Sequence, residues 1–212
     1  MSDPLFDVRS WIKFLLWRTK KIWASAQSKE AWDQEYAGGH WKGLESMQEL
    51  GHYSAIAGYA DFSEAKAILD VGCGHGVLAR RLTRLGYQNY LGIDLSAEAI
   101  KEASSLNQDP RSTFAAADAW QFETEQAFDL IIFNECLYYL GEPRKIMRKY
   151  SKFLAPNGKF IVSMFGVPAN LAIWHELQQE LRVMDSVSVR HGSGYRWTVK
   201  LLSRDAAAPC AS

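Results

Sequence analysis

The stretch Asp70-Val71-Gly72-Cys73-Gly74-His75-Gly76 is where this chain first shows chemistry rather than packing. Glycines at alternate positions make a turn whose backbone N–H groups can approach a ligand that any Cβ would hold off. Roughly 18 residues after Gly76, Asp94 closes a short apolar run, a place from which one carboxylate can accept from both hydroxyls of a ribose. Asp118 stands beside Ala119 and Trp120, a carboxylate next to an aromatic plane, suited to the exocyclic amine and the face of a purine. The glycine spacing is GxGxG. Dinucleotide sites use GxGxxG, whose third glycine serves tight packing of helix on strand. Candidate proton acceptors are Glu135, Tyr138, Tyr139, His40, His52 and His175, with Glu135 and His40 preferred as catalytic residues. A lone histidine is otherwise a core or surface residue, since nothing in the sequence fixes its partner. Cys73 reads as a small spacer whose backbone matters, Cys136 as a core residue, and His75 is expected to point away from the ligand. The 3 cysteines form no CxxC and have no histidine at metal-ligand spacing, so neither a metal site nor a disulfide framework is expected.

These residues must be set along one edge of a scaffold, and the pattern from Ala67 onward describes one. Residues 67–71 read as a buried strand, and Val77, Leu78, Leu82 and Leu85 line a helix that stops at Gly86. Residues 90–93 form a second strand, and Ser96 N-caps a helix running to about Ser105, with Glu98 in its first turn. Residues 113–117, 130–133 and 159–163 are the third, fourth and fifth strands. Between the last two, Pro143 opens a helix that buries Ile146 and Tyr150 and ends before the Pro156-Asn157-Gly158 turn. Its Arg144, Lys145, Arg148, Lys149 and Lys152 are expected to form a solvated face. Strands alternating with helices imply a doubly wound, mostly parallel α/β sheet, and ligands in such sheets bind beyond the carboxyl ends of the strands. The tail departs from that rhythm. A helical stripe over 169–181 leads into two alternating runs joined at Gly192-Ser193-Gly194, an antiparallel hairpin at the sheet edge. Ahead of the core, residues 30–62 break at Gly38-Gly39 into two aromatic-rich helical stretches, read either as a lid over the site or as ordinary helix packing. The division is therefore an N-terminal helical extension and lid over 1–62, a core over 63–204 and a disordered tail over 205–212.

The run Ile68-Leu69-Asp70-Val71-Gly72-Cys73-Gly74-His75-Gly76 is followed by Gly92-Ile93-Asp94-Leu95-Ser96, Ala117-Asp118-Ala119, Phe128-Asp129-Leu130-Ile131 and Leu154-Ala155-Pro156-Asn157-Gly158-Lys159. In order and spacing the set resembles the class I S-adenosylmethionine-dependent methyltransferases. The resemblance implies a Rossmann-like, seven-stranded sheet with a reversed last strand, and S-adenosyl-L-methionine as cofactor. By motif position, Gly72, Cys73 and Gly74 would touch the amino acid end of that cofactor, Asp94 its ribose hydroxyls, Asp118, Ala119 and Trp120 its adenine, and Asn134 its methionine moiety, with Leu95 also in the cofactor set. The segment Asn134-Glu135-Cys136-Leu137-Tyr138-Tyr139-Leu140 is similar to the fourth-strand segment of bacterial small-molecule methyltransferases, including those acting on sugar derivatives. The lead-in Trp32-Asp33-x-x-Tyr36-x-x-Gly39-x-Trp41 resembles the segment ahead of the core in some of them, which adds Tyr36 and Trp41 to the cofactor set.

Methyl transfer from a sulfonium is an in-line displacement with a good leaving group, so positioning can supply about 7–11 kcal/mol of the barrier. A hydroxyl acceptor also needs proton removal, worth about 10²–10⁴ in rate. The expected acceptor is a small molecule methylated at O or N, with a sugar derivative or a lipid-linked intermediate as the narrower reading. A catalytically silent methyltransferase-like partner protein and an NAD(P)-dependent oxidoreductase remain as alternatives.

Composition bounds the rest. At 212 residues and 48% hydrophobic the chain makes one globular domain with a real core. Lys plus Arg and Asp plus Glu are each 24, a balance that argues against nucleic acid as a partner. Residues 5–23 repeat apolar side chains at helical spacing with Arg9, Lys13 and Lys20 opposite. That basic amphipathic helix is suited to peripheral membrane contact or to packing on the protein's own core. With neither a bilayer-spanning run nor a secretory leader in the sequence, a cytoplasmic location is expected.

Overall fold

The computed structural model describes residues 28–204. Ser28 caps helix α1, Lys29–Ala37, by accepting from Ala31 N–H at 3.3 Å, and the chain leaves that helix through Gly38 and Gly39. A short 3-10 turn, Lys42–Glu45, leads to α2, Leu50–Phe62. Then strands and helices alternate: β1 Ala67–Val71, α3 Val77–Leu82, β2 Asn89–Asp94, α4 Ala97–Leu106, β3 Ser112–Ala116 and β4 Phe128–Asn134. Helix α5, Pro143–Ser151, precedes β5, Leu154–Phe165, and α6, Ala169–Gln178, precedes the hairpin of β6, Arg182–Arg190, and β7, Arg196–Ser203. Ser96 caps α4 as expected, accepting from Ala99 N–H at 3.2 Å.

The strands form one seven-stranded sheet in the order β3-β2-β1-β4-β5-β7-β6. Strands β1 to β5 pair in parallel, and β7 runs antiparallel between β5 and β6. This is the doubly wound, mostly parallel sheet with a reversed strand that the motifs imply. Its central strands are largely apolar because helices cover both faces, with Asp70 of β1 buried among them. Alternate residues point to opposite sides. Ile68, Leu130 and Ile132 meet α2 and α3, whereas Leu69, Ile131 and Phe133 meet α5 and α6. The strand order reverses between β1 and β4, so the glycine turn after β1 and the end of β4 flank the crevice where such sheets bind ligands.

Three expectations change. The first helix of the core is short and stops at Leu82. Strand β5 starts at Leu154, and a register shift opposite Phe128 and Leu130 absorbs the 156–158 turn, with Asn157 at a φ of +66°. The basic face of α5 is not simply solvated: Arg144 and Arg148 both close on Glu180, and Lys149 pairs with Glu123. The basic helix over 5–23 and the tail over 205–212 lie outside the described residues. Among those residues no helix is long and apolar enough to cross a membrane.

Candidate functional site

Strand β1 ends at Val71 and the backbone at once turns left-handed, with φ of +71° at Gly72, +55° at Gly74 and +73° at Gly76. Glycine takes this region without penalty. Space also forbids a side chain, since a Cβ on Gly72 would lie 2.6 Å from Cys136 Cβ and one on Gly74 2.7 Å from the Tyr36 hydroxyl. Gly72 N–H and Cys73 N–H donate to the Ile93 carbonyl at 2.8 and 3.0 Å, and Gly74 N–H donates to Asp94 Oδ2 at 2.9 Å. The glycine turn is thereby sewn to the end of β2. Asp94 Oδ1 accepts from Ser96 N–H at 2.9 Å, and burial pushes the carboxyl pKa up against these donors.

Past β3, Asp118 Oδ1 accepts from Trp120 N–H at 2.7 Å, and Trp120 Nε1–H donates to the Leu140 carbonyl at 3.0 Å, which props the indole beside the carboxylate. Asn134 closes β4 with its Oδ1 enclosed and unpartnered among the described residues. Glu135, next in line, holds a φ of +56°, a region where a non-glycine residue is strained and worth a functional question. Its carboxylate accepts from the Tyr138 hydroxyl at 3.0 Å, the Ser163 hydroxyl at 3.0 Å and Phe165 N–H at 3.1 Å.

All these groups line one cavity of about 400 Å³. Its roof is Trp32 and Tyr36 of α1 with Trp41. Helix α2 contributes Glu49, His52 and Tyr53, and the far wall is Phe165 with Tyr195 and Trp197. His52 stacks on Trp197 at 5.1 Å, with Nδ1 3.6 Å from Glu49. The roof is fastened to the start of α4. Asp33 Oδ1 accepts from the Ser96 hydroxyl at 2.6 Å and from Glu98 N–H at 3.3 Å, while Lys29 holds Oδ2 at 2.8 Å. Lys29 and Ser96 keep the Asp33 carboxyl down at about 2.

Gly72, Cys73, Gly74, Asp94, Leu95, Asp118, Ala119, Trp120, Asn134, Tyr36, Trp41 and Glu135 are therefore brought together in one lining. His40 is not: it is exposed, edge-on to Trp41 at 5.3 Å, and stays outside that lining. His175 sits exposed on α6, bonded to Gln179. His75, expected to turn away, lines the cavity; it is buried, and burial lowers its pKa. Glu49, Phe165, Tyr195 and Trp197 were not singled out by residue type. The available signal was direction: β7 runs backwards, so its first residues lie opposite the end of β5, with Trp197 paired to Phe165. Among the described residues no group of three His, Cys, Asp or Glu side chains is placed to hold a metal ion.

A family model for a methyltransferase domain matches residues 62–201. The chain belongs to that methyltransferase family. Two curated relatives illustrate the likeness. Phosphoethanolamine N-methyltransferase 2 of Caenorhabditis elegans is 29% identical over 116 residues, which is 52% of this chain and 26% of that protein. A ubiquinone biosynthesis O-methyltransferase of Xanthomonas axonopodis is 34% identical over 111 residues, 50% of this chain and 46% of that protein. The chain thus matches less than half the length of either. Among solved structures, the N-methyltransferase NodS of Bradyrhizobium japonicum in complex with S-adenosyl-L-homocysteine aligns with a TM-score of 0.66 at 21% identity, covering 78% of this chain and 92% of that one, a likeness of fold.

The residues present fit S-adenosylmethionine, the cofactor that the motifs of this methyltransferase family imply. Gly72 and Gly74 line the cavity with bare backbone, at positions where Cys136 and Tyr36 leave no room for a Cβ. The enclosed Asn134 Oδ1 is an acceptor suited to an ammonium, and Asp94 and Asp118 present carboxylates at the ends of β2 and β3, where hydroxyls and an exocyclic amine need acceptors.

Proposed function

We propose that this chain is an S-adenosylmethionine-dependent methyltransferase that modifies an O or N atom of a small molecule. One observation carries the reading: every residue expected at the cofactor lines a single cavity at the switch point of the sheet. When bound, the cofactor supplies a methyl group activated on a sulfonium. The 72–74 turn and Asn134 hold its amino acid end, Asp94 orients the ribose, and Asp118 with Trp120 receives the adenine. Of the N-terminal extension, the described residues 28–62 act as the lid, with Trp32, Tyr36 and Trp41 excluding water from the reacting atoms. Glu135 takes up the proton that the acceptor loses; His40, outside the lining, braces Trp41.

Relatives named for phosphoethanolamine and for ubiquinone biosynthesis support a small acceptor. Within that class a sugar derivative or lipid-linked intermediate is our narrower reading, with peripheral membrane contact assigned to residues 5–23. Calorimetric titration tests the core of the proposal. S-adenosylmethionine and S-adenosylhomocysteine are expected to bind, NADH is not, and Asp94→Ala is expected to abolish adenosyl binding. Binding of NADH in preference would turn the reading to an oxidoreductase. Binding of none would leave a silent partner protein.

A further inference from the structure

The end of β1 buries a carboxyl group that does not itself line the cavity. Asp70 stands two residues before Gly72, with Oδ2 accepting from the Tyr90 hydroxyl and Oδ1 enclosed without a hydrogen-bond partner among the described residues. The Asp94 carboxylate acts on it through space and disfavours a second negative charge. Among the described residues no cation pairs with either group. The two are unequally supplied with donors. Asp94 takes the N–H groups of Gly74 and Ser96 and Asp70 a single hydroxyl, so the proton that such a pair retains sits on Asp70. The other titratable groups around Asp70 are Tyr90 of β2, Cys73 of the glycine turn, Cys136 beyond β4 and Tyr53 of α2, whose ring carries the Arg81 guanidinium at 4.9 Å. Burial raises the pKa of all four, so around neutral pH only the carboxyl groups there change charge. Cys73 and Cys136 line the cavity, and Asp70 adds to the rise of both thiols, so its field reaches the lining.

We propose that Asp70 distinguishes the sulfonium of the methyl donor from the thioether of the spent product by a proton that it gives up to the first and keeps beside the second; this rests on the methyltransferase reading above. In the unliganded chain Asp70 is protonated, because an ion there would be buried, short of donors and next to a like charge. With a sulfonium in the cavity the ionised form faces an opposite charge in a surrounding of low dielectric, and the proton leaves to solvent. A thioether brings no such charge, so Asp70 keeps its proton. Donor and product share their ammonium, carboxylate and nucleoside and differ by one methyl group and one positive charge, so shape alone separates them weakly. Ionised Asp70 adds an attraction for the donor that vanishes once the methyl group has moved. One proton then returns from solvent to Asp70, and no other bond is made or broken at this residue. Affinity for the donor therefore rises with pH as Asp70 becomes easier to ionise, and affinity for the product does not follow.

Calorimetry on the full chain at pH 6, repeated in buffers of different ionisation enthalpy, counts the protons released on binding. At that pH the ammonium of either ligand, with a pKa of about 8, is already charged and contributes to neither count. Any group that both ligands perturb alike, His75 in the lining among them, cancels in the comparison. S-adenosylmethionine is expected to release about 0.5–0.9 proton and S-adenosylhomocysteine less than about 0.2. Between pH 5.5 and pH 7 the ratio of the two affinities is expected to move at least about fivefold toward S-adenosylmethionine. In Asp70→Asn both ligands are expected to bind without proton release and with a ratio independent of pH. Equal counts for the two ligands in the wild-type chain, or a count for S-adenosylmethionine that persists in Asp70→Asn, overturns the proposal. The wild-type counts stand alone should Asp70→Asn fail to fold. Failure of both ligands to bind is read separately and removes the parent reading together with this one.

Discussion

Gly72 and Gly74 share a left-handed backbone but not a neighbourhood. An added Cβ at Gly72 meets Cys136 Cβ, which cannot move without its backbone, whereas one at Gly74 meets the tip of Tyr36, which can swing aside. A left-handed alanine costs about 1–2 kcal/mol at either site, and overpacking adds about 1–3 kcal/mol where the neighbour cannot yield. Gly72→Ala is therefore expected to weaken S-adenosylhomocysteine binding by more than tenfold and to lower the melting temperature, with a smaller loss for Gly74→Ala. Tyr36→Phe is expected to recover part of the Gly74→Ala defect, and calorimetry on the four proteins checks the ranking. Equal losses at the two glycines would show that Cys136 yields as readily as Tyr36. The glycine spacing announced this turn because only glycine tolerates the geometry. Nothing comparable announced the strain at Glu135, which is imposed from outside the segment by Ser163 and Phe165 on the neighbouring strand.

Two fastenings between elements govern how the helices sit. Asp33 ties α1 to the first turn of α4, adding a carboxylate at a helix N-terminus where the dipole favours it. Asp33→Ala is expected to cost about 1 kcal/mol and to weaken S-adenosylhomocysteine binding several-fold, because the roof loses its anchor. The second fastening is Glu180, which joins Arg144 and Arg148 of α5 and whose pKa those guanidiniums hold down at about 2. The arginines are largely exposed, so Glu180→Gln is expected to cost only about 0.2–1 kcal/mol at neutral pH. A depressed carboxyl contributes stability above its unfolded pKa of about 4.3 and loses it as pH falls through 2, so the melting difference between wild type and Glu180→Gln should vanish in acid. Thermal melts across pH 2–7 decide it; a difference that persists at the acid end would mean that the charge is not what clamps the helices. Local pattern could not reveal this clamp, since Glu180 lies past α6 and meets α5 only once the chain has folded back.

For the molecule as a whole, the most consequential buried charge is Asp70 on β1, beside the Tyr90 hydroxyl. Burial pushes its carboxyl up to about 7. A raised folded pKa means that the folded state keeps a proton the unfolded chain gives up near about 3.9, so the contribution is full below that value and is lost as pH rises through 7. Asp70→Asn, which keeps an acceptor for Tyr90, is expected to gain on the wild type between pH 4 and pH 8 by several degrees of melting temperature, at about 2–4 °C per kcal/mol for a chain of this size. A constant offset between the two melts would show that Asp70 ionises normally. The parallel half of the sheet was legible in the sequence because most of its strands are apolar runs bounded by turn residues, and Gly72, Asp94 and Asn134 could be grouped in advance because they stand at the ends of those strands. The far wall of the cavity was not, because Tyr195 and Trp197 look like any alternating hairpin until the reversed direction of β7 sets them against Phe165. The tie from α1 to α4 has a further, kinetic consequence. A roof anchored on the turn behind Asp94 covers the side of the cavity that the nucleoside would fill, so substrates are expected to enter in compulsory order, nucleoside first, with the spent thioether departing last. Steady-state inhibition by S-adenosylhomocysteine should then be competitive toward S-adenosylmethionine and noncompetitive toward the acceptor.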